Sequence, residues 1–489
     1  MSKLSIPFFI LLLFNTILVF AQEETIYVRD IYLNRQEVFE KDDKDWFFGA
    51  PILNALHTTT YKYVIRDELL FEPDSETDIE YILETERNLR ATELFTFVSI
   101  QVDSVGYDAY DVYITTKDKW STYPAVLFGT GGGAQNLGAR LEEFNLFGTG
   151  NYISAEGLYR TENDIGLQGE GRLGLRRFLR SNYDVNFNII SNKFRTDQNL
   201  EVLLPYRTLD APHSYGVYGT NAFGSDFLYI NQDSSRLMDF HEKRAGGYFS
   251  KAWWRKDRIF ITALVEWEDV NRGLPEFARA YDNSGKFLVQ FSSVSRNYYI
   301  INKVDSYFIQ DLPVGGYGEA VLGKTFAIGS KGESLYYAGG RGEQSYYDGN
   351  IYLFGRLSGA SSFQQNQAKY TYQDFLGLAF YKPAEWFTLA ARFYQQTVWN
   401  WPALRQLVID NENGLRGYDV NSFSGDNRII SNLEMRFFPG VNLWVFDLSA
   451  AAFYDIGTVW EQTTPINKAQ FHSSIGAGIR FHFTKSDSP

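Results

Sequence analysis

Few residue sets in this chain have the spacing that chemistry demands. Gly318-Glu319-Ala320-Val321-Leu322-Gly323-Lys324-Thr325 matches the phosphate-cradling G-x-x-x-x-G-K-[ST] spacing letter for letter. That motif works only as a loop that opens a helix, with backbone N–H groups turned onto a nucleotide. Here Phe326-Ala327-Ile328-Gly329 continues the segment as a strand, so a nucleotide site is rejected. His57, His213, His241, His472 and His482 form no H-E-x-x-H and no close His/Asp/Glu cluster, so no metal is expected. With no Cys, disulfides, thiolate zinc sites and cysteine nucleophiles are excluded. No G-x-S-x-G is present, and Ser473 beside His472 reads as a wall residue rather than half of a hydrolytic pair. Gly414-Leu415-Arg416-Gly417-Tyr418 is more telling, because glycines flank an arginine inside a long connection. Read blandly it is a surface loop. Read functionally, the loop folds back into a polar interior, where its guanidinium must find a carboxylate because an unpaired buried charge is expensive. Two candidates are available: Glu434, on the following strand, and Asp455 within Phe453-Tyr454-Asp455-Ile456-Gly457.

The elements that must position these groups alternate with period 2. Tyr183, Val185, Phe187 and Ile189 alternate with Asp184, Asn186 and Asn188, and Ala477, Ile479, Phe481 and Phe483 with Gly478, Arg480 and His482. Leu433, Met435 and Phe437 alternate with Asn432, Glu434 and Arg436, which puts Glu434 on a polar face. Aromatic residues make up 17% of the chain and there are 41 Gly, a balance that favours strands and tight turns. Such alternation also suits a soluble sandwich. A membrane barrel is favoured by the number of segments, by Trp253-Trp254, Trp399, Trp401 and Trp444 near segment ends, and by the chain's start. Met1 to Ala21 has one positive charge, a short apolar stretch and a small residue before Gln22, the pattern of a secretory signal peptide spanning 1–21. No later stretch is apolar enough to cross a membrane as a helix. Dividing the roughly 370 residues after 118 by ~23 per strand and connection predicts a 16-stranded antiparallel transmembrane barrel over 119–489.

Residues 22–118 read differently. Up to Lys117 they carry a net charge of -12, against -2 for residues 118–489, which marks two domains and makes nucleic acid an improbable partner. A strand over 26–33 precedes a charged stretch from Asn34 to Asp45. Helices are expected from the Thr58-Thr59-Thr60 cap to Leu70 and from the Asp78 cap to Leu89, then strands over 97–102 and 110–116. The order is β-α-α-β-β, a small α+β domain.

Together these features resemble the BamA/TamA superfamily of outer-membrane proteins, the bacterial surface antigen family, which join periplasmic POTRA modules to a barrel. Gly414-Leu415-Arg416-Gly417-Tyr418 is similar to that family's [VI]-R-G-[FY] loop motif, with Leu415 in place of the β-branched residue. Phe453, Asp455 and Gly457 resemble its F-x-D-x-G strand motif, and Gly148-Thr149-Gly150 after Glu142-Glu143-Phe144-Asn145-Leu146-Phe147 its early-barrel signature. The resemblance implies one POTRA module and an Arg416 held inside the barrel by Glu434 and Asp455. It implies a bacterial outer-membrane location with the N-terminal domain in the periplasm. It also implies non-enzymatic assistance to insertion of outer-membrane proteins or translocation of polypeptides, without cofactor or metal. Partners would be outer-membrane lipids, unfolded client polypeptides taken at the 97–102 edge, and periplasmic or lipoprotein accessory subunits, around a monomeric barrel. A passive outer-membrane channel or receptor, and last a hydrolase, are the alternatives.

Overall fold

The computed structural model describes residues 25–483, apart from short breaks at 44–45, 47, 107–108, 132–133, 162–163, 209–210, 232–233, 255–256, 330–331, 402–406, 412, 420–421 and 445. The signal peptide expected in 1–21 lies outside the described residues.

The N-terminal domain is built on β1 (Thr25–Gln36), whose Ile26 and Val28 face inward while Tyr27 and Arg29 face out. Three helices follow or flank it, α1 (Ala50–Leu56), α2 (Lys62–Arg66) and α3 (Ile79–Ala91), with strands β2 (Ser75–Asp78), β3 (Phe95–Ser104) and β4 (Ala109–Asp118). The sheet order is β2-β1-β4-β3, with β1 parallel to β4 and the outer pairs antiparallel. Val64 and Ile65 of α2 and Ile82 and Leu89 of α3 pack on Val28, Val112 and Ile114. Asp78 caps α3 by accepting a hydrogen bond from Glu80 N at 3.3 Å.

Two elements go beyond the expected β-α-α-β-β order. Helix α1 forms because Pro51 is preset for a first turn and Ala50 and Leu53 can pack on Val38, Phe39 and Trp120. Strand β2 forms as a short antiparallel edge to β1 after Asp74 turns through positive φ. The helix expected to reach Leu70 stops at Arg66, and the chain then turns Glu68 toward the barrel.

Among the described residues, eighteen antiparallel strands close into a barrel, from β5 (Thr122–Gly131) round to His472–Phe483. This corrects the expected sixteen. Very short turns join strands at both ends of the barrel, such as Tyr347 to Ile351 at one end and Gln364 to Gln367 at the other. Gln365 and Asn366 both take positive φ, as a two-residue hairpin turn requires. The repeat is therefore about 20 residues rather than ~23. Gly318 to Thr325 lie inside the strand Gln310–Ala327, with Lys324 paired to Tyr336, so no phosphate loop exists there. Outward positions are apolar and exposed, as at Val126, Phe128, Ile475 and Ile479. Inward positions carry interleaved charges, such as Lys286 between Glu266 and Glu268, and Arg341 between Glu319 and Glu343.

Candidate functional site

The connection between the strands Phe387–Trp399 and Asn427–Leu443 is long but not loose. Leu407–Ile409 and Phe423–Gly425 pair into a two-stranded sheet at its base. Leu415 N then donates to Asp410 O at 2.8 Å, which tightens the tip. Leu415 is fully buried and packs with Ile409 and Ile430, so the tip is held to the wall by an apolar plug as well as by charge. Gly414 and Gly417 take φ of +98° and +84°, which L side chains rarely adopt, and this aims Arg416 at the wall.

The wall supplies its partners by strand parity. Asn432 and Glu434 sit on Asn427–Leu443 opposite Asp455 and Phe453 of Phe446–Trp460. Arg416 Nε and Nη2 donate to Asp455 Oδ2 and Oδ1, both at 2.8 Å, and Nη1 donates to Glu434 Oε2 at 2.8 Å. Its backbone N adds a bond to Asp455 Oδ2 at 3.2 Å. The guanidinium carbon lies 3.6 Å from the centre of the Phe453 ring, so Phe453 supplies a π face beneath the charge. Gly457 lies on the same face, where any side chain would crowd Ile409 at 3.3 Å. Tyr418 OH donates to Ser473 O at 3.0 Å and ties the loop to the last strand.

Every residue expected at this site is thus brought together, and four more complete it. Asn432 Nδ2 donates to Asp455 Oδ1 and to Gly414 O, each at 2.8 Å. Arg436 Nε and Arg480 Nη2 both donate to Glu434 Oε1 at 2.8 Å. Phe423 stacks on His472 at 3.7 Å. Asn432, Arg436 and Arg480 share the polar parity of Glu434, so the alternation marked their face without marking their partners. His472 is stacked against the loop, and Ser473 points to the other face of its strand.

The turn 302–309, between Asn283–Ile301 and Gln310–Ala327, reaches the same wall from the domain-proximal end. Arg436 Nη1 donates to Val304 O at 2.6 Å and pairs with Asp305 at 3.1 Å. Tyr307 OH donates to Leu448 O at 2.7 Å, and its ring meets Phe438 and His482 edge-on. Thr388 Oγ1 donates to Lys303 O at 2.7 Å. Strands far round the barrel from the turn's own are therefore bridged across the lumen. No local signal in 302–309 announces this, because the contacts are all long-range.

The N-terminal domain docks at that same end. Tyr61 N donates to Gly148 O at 2.9 Å, and Asn145 Nδ2 to Thr60 Oγ1 at 2.8 Å. A methyl group on Gly148 would come within 2.8 Å of Thr59 O, so the Gly148-Thr149-Gly150 signature serves as a socket for the domain. Glu68, buried, accepts from Arg177 Nε at 2.9 Å and Arg176 Nε at 3.2 Å. Burial alone would push its carboxyl up, but the two guanidiniums outweigh that and hold it below the usual carboxylate range. Arg90 of α3 reaches Asp311 at 3.2 Å, and Arg87 lies 4.6 Å from the Tyr298 ring centre.

No protein-family model and no curated protein matches the chain. Among solved structures it is similar to BamA from Haemophilus ducreyi lacking POTRA domains 1-3, at 13% identity and TM-score 0.38, over 93% of this chain and 85% of that one. It is also similar to CdiB from Acinetobacter baumannii, at 8% identity and TM-score 0.45 over 93% and 74%, and to CdiB from Escherichia coli, at 11% and 0.47 over 93% and 69%. Values this low leave the chain's own geometry to carry the functional conclusion.

Proposed function

We propose that this chain is a bacterial outer-membrane barrel of the BamA/TamA type that assists insertion of outer-membrane proteins or translocation of polypeptides, without enzymatic chemistry. Residues 22–118 act as its single periplasmic POTRA module and 119–489 as its barrel. The observation that carries this is the three-way lock of Arg416 on Asp455 and Glu434, where a loop is fixed inside a lumen by groups that can hold but cannot react. A bidentate guanidinium–carboxylate pair fixes direction as well as distance, which suits a part that keeps a lumen closed while the wall works.

The docked domain supports the client role. Its β3 lies at an edge of the sheet, where an unfolded chain can add a strand through main-chain hydrogen bonds without a fixed sequence. At rest Glu86 Oε2 accepts from Ile100 N at 3.3 Å, so an entering strand takes over that donor. With no nucleotide site in the chain's motifs, the work comes from client folding and burial of apolar surface in lipid. The turn 302–309 and the loop around Arg416 both enter the lumen, which favours this reading over a passive open channel.

A photo-crosslinker at Gln101 on β3 tests it in living cells. Capture of several different outer-membrane or surface polypeptides during their synthesis is expected, with their loss from the membrane on depletion of the protein. Capture of no polypeptide, with an unchanged outer-membrane composition and a large ungated conductance in planar bilayers, would establish the channel instead.

A further inference from the structure

Helix α1 carries its apolar residues on both sides. Ala50 and Leu53 face Val38, Phe39 and Trp120, and Asn54 fixes the helix's rotation by donating to Phe39 O at 2.8 Å and accepting from Phe39 N at 3.2 Å. The opposite side presents Ile52 and Leu56, 66% and 71% exposed, one turn apart, with Trp46 and Phe48 exposed just before the helix. A helix face normally turns its polar residues to water, so a contiguous apolar face marks an interaction surface.

Its position identifies the occupant. Trp120, under α1, immediately precedes the entry into β5, and His57, the first residue after the helix, bonds Asp118 at 2.9 Å and Ser121 at 3.3 Å. The following segment is pinned to the turn 144–151, where Phe147 projects 74% exposed. Along β5 the exposed Val126 lies six residues beyond Trp120. Helix α1 is therefore tied to the foot of β5, the strand on which the apolar outer wall begins at Val126. Lys62 and Arg66 on the next helix, α2, are also exposed, cations of the kind that headgroup phosphates attract. We infer that α1 is an interfacial anchor that beds into the lipid leaflet at the foot of β5 and sets the height of the N-terminal domain beneath the membrane. Apolar segments of this kind lie at the boundary of headgroups and acyl chains, with Trp at the rim. This rests on the barrel's being in a membrane and does not depend on what client it handles.

The chain has no Cys, so single labels are clean. Nitroxide labels at Ile52→Cys and Leu56→Cys in the full protein, reconstituted in phosphatidylethanolamine/phosphatidylglycerol vesicles, are compared with one at Glu76→Cys on β2. Heat-dependent gel migration confirms that each barrel is folded. Labels at 52 and 56 are expected to collide several-fold more with oxygen than with a water-soluble nickel chelate, relative to 76. Adding Ile52→Asp to the Leu56→Cys protein is expected to abolish that preference. Two results would overturn the anchor. Nickel access equal to that at 76 would mean the face sits in water, and shielding from both reagents would mean a protein, a partner or a second copy, covers it.

Discussion

The Arg416 side chain is 34% exposed, yet its partners are not. Asp455 is fully buried and Glu434 nearly so, and Glu434 also holds Arg436 and Arg480. Removing the loop guanidinium leaves a buried carboxylate with only Asn432 and the backbone N–H of residue 416 for company, and breaking such a pair costs about 3 kcal/mol. Arg416→Ala is therefore expected to lower the temperature at which the compact band on unheated gels gives way. Arg416→Lys recovers only part of the loss, since an ammonium cannot span both oxygens of Asp455. Unchanged melting in both variants would remove the lock from the account. The site was legible in the sequence to the extent that parity could carry it. Period 2 put Glu434 on a polar face, and the glycines around Arg416 signalled a loop of unusual backbone. Phe453 under the guanidinium and Arg480 beside Glu434 depend on which strands neighbour which in the wall, and no local pattern states that.

The same distinction holds for whole elements. The edge of β3 is guarded by a helix, because Glu86 bonds both Ile100 N and, at 2.6 Å, Arg90. Glu86→Ala is expected to raise client crosslinking from Gln101 several-fold, and a fall would show that Glu86 recruits rather than guards. The socket at the barrel rim depends on charge in a different way. The folded pKa of Glu68 is depressed, so its contribution to docking is complete above the ordinary glutamate value of about 4.3 and is lost as pH falls through the depressed value. Trypsin access to the junction should stay flat from pH 8 to 5 and rise only below that, with Glu68→Gln raising it at every pH and erasing the acid step. Of these elements, α3 was readable from its Asp78 cap and its spaced Ile82 and Leu89. Helix α1 was not, because Phe48-Gly49-Ala50-Pro51 breaks any amphipathic pattern and its stability comes from Trp120, far along the chain. Strand β2 has no apolar alternation and exists only because β1 offers it a partner. The strand count fell short because several turns of two or three residues, at both ends of the barrel, are tighter than the assumed spacing allows.

At the scale of the whole molecule, two segments enter the lumen from opposite ends and meet on one wall. The loop lock holds Glu434 from one side, and the turn 302–309 reaches Arg436, two residues on, from the other. Because Arg436 bridges Glu434 and Asp305, the two closures share a member and their effects should not add. Replacing 302–309 by a two-residue Asn-Gly hairpin removes the lower closure without touching a wall strand, since the flanking Ile301 and Gln310 are already paired. That variant is expected to turn a nearly silent protein into a steady conductor in planar bilayers, and Arg416→Ala alone into an intermittently open one. The double variant should then conduct no more than the hairpin variant by more than a small margin if the wall around Glu434 relaxes as a unit. Strictly additive conductance would mean the two segments close separate paths, and Arg436 would then be a local tether rather than the joint between them.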